Sequence, residues 1–287
     1  MVDVLILNYN DAQNTIKLSR VLETYDCIRK VVIVDNRSTD NSIELIKEAS
    51  LSSKVILLVT DKNGGYGYGN NYGFDYLKHS LNANYVLLCN PDVSIWEEDI
   101  KALELFLDGH SDYLVAAPFM LDINKTKDYH TAYKLPTKFN YIFSCGLILG
   151  KLFNNCYYKR SYLDHGELID VGTVAGSLFM ISLSKLDDPT VYDEKIFLYC
   201  EETILGMLAK KKGLKIALLR EHSFVHEHST SISKSYNSEL KRRKLLISSR
   251  LYVLEKYYNS GHFGILISKL LASISYFEIW VYSLLAK

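Results

Sequence analysis

What this chain lacks narrows its function first. It lacks a charge excess: 33 Lys and Arg balance 33 Asp and Glu over 287 residues, a formal net charge of zero. A nucleic-acid partner, which needs a basic face, is therefore not expected. It lacks paired cysteine motifs. Cys27, Cys89, Cys145, Cys156 and Cys200 are odd in number, scattered and without CxxC spacing. They read as free thiols in a reducing compartment, and neither a zinc site nor a disulfide framework follows. The start Met1-Val2-Asp3-Val4 is already strand-like, without a basic n-region or cleavage site, so no signal peptide is expected. The longest apolar stretch, Phe263 to Ala286, is interrupted by Lys269 and Glu278 and reads as a poor spanning helix. Internal repeats and low-complexity segments are absent. What is there is a core former: 48% hydrophobic and 23% charged residues, enough for one large domain or a domain with an appendage.

The first half alternates short apolar runs with helical patterns. Strands are expected at Val2–Leu7, Lys30–Val34, Val55–Val59, Tyr85–Leu88 and Tyr113–Ala117, with helices at Thr15–Glu23 and Trp96–Leu107. This βαβαβ order predicts an α/β fold with a mostly parallel, twisted sheet flanked by helices. In such sheets ligands bind beyond the carboxyl ends of the strands, where the polar clusters of this sequence fall. From Leu121 to Glu167 the periodicity is ambiguous, and loops with one helix are expected. Regularity returns at Val174–Leu183, at a helix Glu201–Lys212 stopped by Gly213, and at a strand Lys215–Leu219. Helical patterns follow at Glu239–Tyr258 and Phe263–Leu285.

Five polar clusters can carry chemistry. Asp35, ending the second strand, can accept hydrogen bonds from a base or ribose, or simply cap a turn. Asn63-Gly64-Gly65-Tyr66-Gly67-Tyr68-Gly69-Asn70-Asn71 holds four glycines and three asparagines. Such a segment lets backbone approach a ligand, or serves as a surface loop. Asn90-Pro91-Asp92 follows a buried strand, and its carboxylate can hold a divalent cation clamping a diphosphate, or cap a helix. Glu201-Glu202 opens a helix, where acids are electrostatically ordinary but where one can also act as a general base. His226-Glu227-His228 offers a metal ligand or a chance pair.

The order of these clusters is more specific than any one of them. Ile6-Leu7-Asn8-Tyr9-Asn10, Val34-Asp35-Asn36-x-Ser38-x-Asp40, Asn63-x-Gly65-Tyr66-Gly67-x-Gly69-Asn70-Asn71-x-Gly73 and Cys89-Asn90-Pro91-Asp92-Val93 come first. Gly176-Ser177-Leu178-Phe179-Met180-Ile181, Phe197-Leu198-Tyr199-x-Glu201-Glu202 and His226 followed by Ser231 complete the series. Together they resemble the family 2 glycosyltransferases of the GT-A fold, especially the bacterial rhamnosyltransferase-like branch that builds cell-surface polysaccharides.

The resemblance implies an inverting transfer from a UDP- or dTDP-linked sugar to an acceptor hydroxyl, with Mg²⁺ or Mn²⁺. It implies a nucleotide-sugar pocket of Asn8, Tyr9, Asn10, Asp35, Asn36, Asn63, Gly65, Tyr66, Asn70, Asn71, Asn90 and Glu201. It makes Asp92 and His226 the metal ligands and Glu202 the catalytic base. Where the family usually writes Glu-Asp-x-Asp, this chain has Glu201-Glu202-Thr203-Ile204. The base is one methylene longer and the second acid has become Ile204. That departure keeps open a non-catalytic sugar-nucleotide-binding or scaffolding subunit. A nucleotidyltransferase would need a basic glycine-rich loop after the first strand, which Asn8-Tyr9-Asn10-Asp11 does not supply.

The expected organisation is a catalytic domain 1–235, its nucleotide half about 1–120 and its acceptor half about 121–235, followed by a helical extension 236–287. From Ile232 to Lys256 basic residues, Lys234 among them, outnumber acidic ones, and an aromatic-bearing apolar helix follows. That pairing suits peripheral contact with an anionic membrane, or a homodimer interface. The expected acceptor is a glycan or lipid-linked saccharide, and the expected location is cytoplasmic, at the inner membrane face.

Overall fold

The computed structural model describes residues 1–49, 51–153, 156–227 and 238–285. His228, Ser231 and Lys234, named above, lie outside them. The core is a nine-stranded mixed sheet. Its parallel half is β1 (Val2–Asn8), β2 (Ile28–Asp35), β3 (Val55–Val59) and β4 (Tyr85–Cys89). Between them run α1 (Ala12–Leu22), α2 (Ser42–Glu48) and α3 (Tyr66–His79). β-Branched, nearly uniformly buried strands such as Val31–Val34 need cover on both faces, and the helices supply it.

The second half departs from the expected parallel order. After β5 (Val93–Ile95), α4 (Glu97–Gly109), β6 (Tyr113–Leu121) and β7 (Ala132–Tyr133), the chain leaves the main sheet. It returns as β8 (Leu168–Val171) and β10 (Leu178–Ser182), while β9 (Thr173–Val174) pairs with β7 in a separate two-stranded sheet. β10 is inserted antiparallel between β4 and β6. After α8 (Glu201–Lys212) comes β11 (Lys215–His226), parallel to β6 and antiparallel to β5 and β8. Gly213 closes α8 in the left-handed region at φ 69°, as the sequence predicts. β11 runs seven residues beyond the expected strand end at Leu219, and its last residue is His226.

The segment 121–167 holds three short helices rather than one: α5 (Lys138–Phe143), α6 (Ile148–Phe153) and α7 (Arg160–Leu163). Helices this short carry too little periodicity to be read from sequence. α5 packs against the C-terminal pair α9 (Glu239–Lys256) and α10 (His262–Leu285). That pair shares a hydrophobic cluster with Ile196, Cys200 and Ile204. Ser249 Oγ donates to Leu198 O at 2.7 Å, and Lys256 Nζ bonds Asp193 at 2.6 Å. The C-terminal helices therefore brace the segment that leads into α8.

One face of α10 is uncovered. Phe263, Leu266, Leu270, Ile274, Phe277 and Trp280 recur at three- and four-residue spacing and are exposed, while Ser268, Leu271, Ala272, Ser275 and Ile279 are buried. By length and composition, His262–Val281 is long and apolar enough to cross a bilayer, although Lys269 and Glu278 interrupt it.

Candidate active site

The site lies at the carboxyl ends of β1, β2 and β4. Asn8 and Asp35 are register partners, which brings their side chains together. Asn8 Nδ2 donates to Asp35 Oδ2 at 2.7 Å. The Ser38 amide and hydroxyl donate to Oδ1 and Oδ2 at 2.8 and 2.7 Å. Asp35 is wholly buried, so this network shapes the turn 36–40. Asn10, at φ 54°, bridges to the same turn through Ser38 and Thr39. Tyr9 sits half-buried between them.

Asn36 ties this corner to the glycine segment. Its Nδ2 donates to Gly65 O at 2.9 Å and Asn63 Oδ1 at 3.1 Å. The sequence reading treats this segment as a loop leading into a helix. In the structure α3 already starts at Tyr66, so Asn70 and Asn71 are helical and buried. The Asn71 amide is engaged by the 191–192 backbone: it donates to Tyr192 O at 2.9 Å and accepts from the amides of Val191 and Tyr192. Asn70 Nδ2 donates to Tyr66 O. Asn71 ties α3 to the 191–192 backbone, whereas the Asn70 bond lies within α3.

Asp92 and His226 meet because β5 pairs antiparallel with β11, setting Val93 opposite His226. His226 Nε2 lies 3.4 Å from Asp92 Oδ1, and both side chains are largely buried. Among the described residues no group of three or more His, Cys, Asp or Glu side chains converges. A carboxylate and an imidazole are too few to enclose a cation, but they fit one that takes the rest of its shell from phosphate and water, as Mg²⁺ and Mn²⁺ do.

Tyr66, Asn90, Gly176, Glu201, Glu202 and His226 line one open cavity of about 560 Å³. Tyr66 Oη donates to Gly176 O at 2.7 Å, and a methyl group placed on Gly176 would lie 3.4 Å from Glu202 Oε1. Tyr199 and Cys200, immediately before α8, both take left-handed φ values of 72° and 75°. For non-glycine residues such a pair is strained, and strain of this kind persists where the surrounding structure enforces it. Here it turns the first two residues of α8 toward the cavity. Burial first, and then the neighbouring Glu202 carboxylate, push the Glu201 carboxyl up to about 8. Burial raises Glu202 as well. Two adjacent carboxyls in a partly dry site hold their protons more tightly than usual, as a general base near neutral pH requires.

Ile204 does not face this cavity. It is 4% exposed and packs with Tyr141, Ile247 and Leu254 against the C-terminal helices. An acid there would be buried without a partner, so the apolar residue follows from packing. The Ile204 half of the departure that kept a non-catalytic subunit open is thereby accounted for by packing.

The cavity also has walls that the sequence reading missed. His130, Tyr133, Lys134 and Tyr157 come from the irregular segment, and Leu246 and Arg250 from α9. No motif marks them; α9 lies about fifty residues from Glu201 in sequence and reaches the cavity only through packing. Asn8, Tyr9, Asn10, Asp35, Asn36, Asn63, Gly65, Asn70, Asn71 and Asp92 do not line the cavity; Asp92 is joined to it through His226.

Comparison with known proteins agrees with this geometry. The family profile described as Glycosyl transferase family 2 matches residues 3–167. The chain is 24% identical over 251 residues to the low-salt glycan biosynthesis hexosyltransferase Agl10 of Haloferax volcanii, covering 86% of this chain and 75% of that one. It is 21% identical over 265 residues to the rhamnosyltransferase WbbL of Escherichia coli K12, covering 87% and 96%. Its fold is similar to S. aureus TarS 1–349 in complex with UDP-GlcNAc, with TM-score 0.53, 16% identity, and coverage of 95% and 71%. It is also similar to GalNAc-T7 with UDP, GalNAc and Mn²⁺, with TM-score 0.59, 12% identity, and coverage of 79% and 44%. The chain spans less than half of the GalNAc-T7 chain and 43% of a longer TarS chain. With a profile match over more than half its length, a mixed α/β sheet of the GT-A kind and acidic clusters at the strand ends, the chain belongs to glycosyl transferase family 2 and is a glycosyltransferase.

Proposed function

We propose that this enzyme moves a sugar from a UDP- or dTDP-linked donor onto a hydroxyl of a glycan or lipid-linked saccharide, with inversion, in the building of a cell-surface polysaccharide. The observation that carries the reading is the Glu201–Glu202 pair in one cavity whose lining also includes His226, the partner of Asp92. Asp92 and His226 would hold the divalent cation, the donor diphosphate supplying further oxygens. When bound, the cation stabilises the negative charge of the leaving nucleoside diphosphate. Glu202 takes the proton of the attacking hydroxyl. Tyr66 stays protonated, because burial and the charges of Glu201 and Glu202 raise its phenol well above the usual value, and its hydroxyl steadies the Gly176 turn beside the base. The known relatives act as a hexosyltransferase and a rhamnosyltransferase, which supports hexosyl or rhamnosyl transfer.

The test is nucleotide release from a panel of UDP- and dTDP-sugars with Mg²⁺ or Mn²⁺. One donor is expected to be turned over. EDTA, or Asp92→Asn, is expected to reduce that rate at least 100-fold. Turnover of every donor at equal rates with EDTA present would sink the metal assignment, and no turnover of any donor would sink the donor class.

The exposed stripe of α10 supports seating on an anionic membrane surface. Between Leu240 and Lys287 eight Lys and Arg stand against two acids, and from Tyr129 to Leu163 five stand against none. An apolar stripe within basic surroundings matches an anionic bilayer interface. The full chain is expected to float with vesicles containing phosphatidylglycerol, and a Leu270→Glu/Phe277→Glu variant is expected to stay behind. Equal flotation of both would remove the membrane role, and a dimer in lipid-free buffer lost in the variant would assign the stripe to a second copy.

A further inference from the structure

The wall of the cavity formed by α9 and the 133–136 segment carries two basic side chains, and the Lys134 ammonium lies over the Tyr158 ring, 5.5 Å from its centroid. Lys134 and Arg250 both line it. Arg250 sits seven residues, two helical turns, after Arg243 on α9, and the two guanidiniums converge on one turn. Arg243 Nη2 donates to Cys145 O at 2.7 Å, and Arg250 Nη1 donates to Ser144 O. Burial, and then the Arg250 charge, depress Arg243 from its ordinary value. Both Lys134 and Arg250 act electrostatically on the thiol of Cys156, which also lines the cavity, so their charges approach the same point.

Among the described residues no carboxylate lies within ion-pair distance of Lys134, Arg243 or Arg250. The remaining residues add no Asp or Glu side chain. The acids that line the cavity are Asp128, Glu201 and Glu202, and Asp128 is held by His130 at 2.8 Å. Half-buried cations with no carboxylate at ion-pair distance favour an anion that completes them, with only Glu278 acting on Arg243 from farther off, and a guanidinium suits a phosphate or carboxylate by its paired donors. Beside these charges stand Tyr133 and Tyr157, with ring centroids 5.7 Å apart and faces suited to the apolar side of a sugar ring.

We infer that this wall is an acceptor subsite for a negatively charged group, a phosphate or a carboxylate, held by Arg250 and Lys134 with an adjoining sugar against Tyr133 and Tyr157. Calling the bearer of the anion an acceptor rests on the transferase reading; the anion binding itself does not. The subsite makes the C-terminal extension part of substrate recognition, since Arg250 comes from α9. It also defines the acceptor class: a phosphate-linked saccharide or an acidic glycan, in preference to a neutral one.

The experiment is calorimetric titration of the full chain in EDTA, which silences metal-dependent diphosphate binding at the donor site. Inorganic pyrophosphate and glucuronate are titrated separately into wild type, Asp92→Asn, Arg250→Gln and Lys134→Gln. At least one anion is expected to bind wild type and Asp92→Asn alike, and to bind Arg250→Gln and Lys134→Gln at least tenfold more weakly. Tighter pyrophosphate binding assigns a phosphate-linked acceptor, and tighter glucuronate binding assigns an acidic sugar. Arg250 also supports the Ser144 carbonyl, whereas the Lys134 ammonium makes no hydrogen bond among the described residues and only lies over the Tyr158 ring. A loss confined to Arg250→Gln is therefore a folding effect and overturns the subsite. So does equal binding by all four proteins, or no binding of either anion. Donor turnover with Mn²⁺, read separately, tells failure of this subsite from failure of the transferase reading.

Discussion

Replacing Glu202, the proposed base, with Gln is expected to lower kcat by about 10²–10⁴-fold, the usual worth of a general base, while donor binding stays within about twofold. Gln keeps the volume and one acceptor oxygen, so the fold of α8 is preserved and only the proton acceptor is lost. The pH profile carries the sharper signature. Burial raises the Glu202 carboxyl above its ordinary value of 4.5. The form favoured by burial is the protonated one, and a base works only when deprotonated. Activity of the wild type must therefore rise with pH along a limb above 4.5, and be lost as pH falls through the raised value. Because Glu201 is raised beside it, the limb belongs to the pair. Glu202→Gln should show no such limb in its residual rate. A variant with undiminished kcat, or one that keeps the wild-type limb, would remove Glu202 from the role of base. Glu201 and Asp128 would then be the acids left in the cavity.

Gly65→Ala is expected to damage both stability and turnover. Gly65 has φ 94° and ψ −179°, a region open in practice to glycine alone. A Cβ there would stand 2.1 Å from the Phe197 carbonyl oxygen, which also accepts the Tyr66 amide at 3.0 Å. The backbone of the glycine segment and the backbone leading into α8 are thus in direct contact, and the added methyl must push them apart. Strain of about 1–3 kcal/mol and a lost hydrogen bond of about 0.5–1.5 kcal/mol give a destabilisation of roughly 2–4 kcal/mol. In a chain of this size that is a fall in Tm of roughly 5–10 °C. Phe197 is five residues from Glu202, so the proposed base should be displaced too, and a misplacement near 1 Å costs about 10²-fold in rate. Thermal denaturation and single-turnover transfer measured on the same preparation check both. An unchanged Tm with unchanged transfer would show that this contact does not position the pair.

These two residues illustrate how much of the site is legible in the chain. Glu202 stands in an ordered motif and is named from it. Gly65 also stands in a motif, but the reason for it is different from close approach to a ligand. It lets the segment touch Phe197, more than 130 residues away, and Gly73 does a similar service by letting α3 sit on Leu5 of β1. Asp35 is named as a nucleotide contact, yet its oxygens are occupied by Asn8 and Ser38 and it is wholly buried. Motif residues of this kind are recognisable because they are required, but sequence does not say whether a ligand or the fold requires them.

The sequence by itself determined the α/β class, the parallel half of the sheet, the strand-end placement of Asn8, Asp35 and Asn90-Pro91-Asp92, and the end of α8 at Gly213. Each of these follows from local periodicity, turn chemistry or the order of short motifs, all of which are properties of neighbours in the chain. Only the tertiary structure decided the antiparallel insertion of β10, the meeting of Asp92 with His226, the apolar role of Ile204, and the arrival of Arg250 beside Lys134 in the cavity. Those are contacts between segments tens to more than a hundred residues apart. They depend on strand register and on which helix face finds a partner, and no local pattern encodes either.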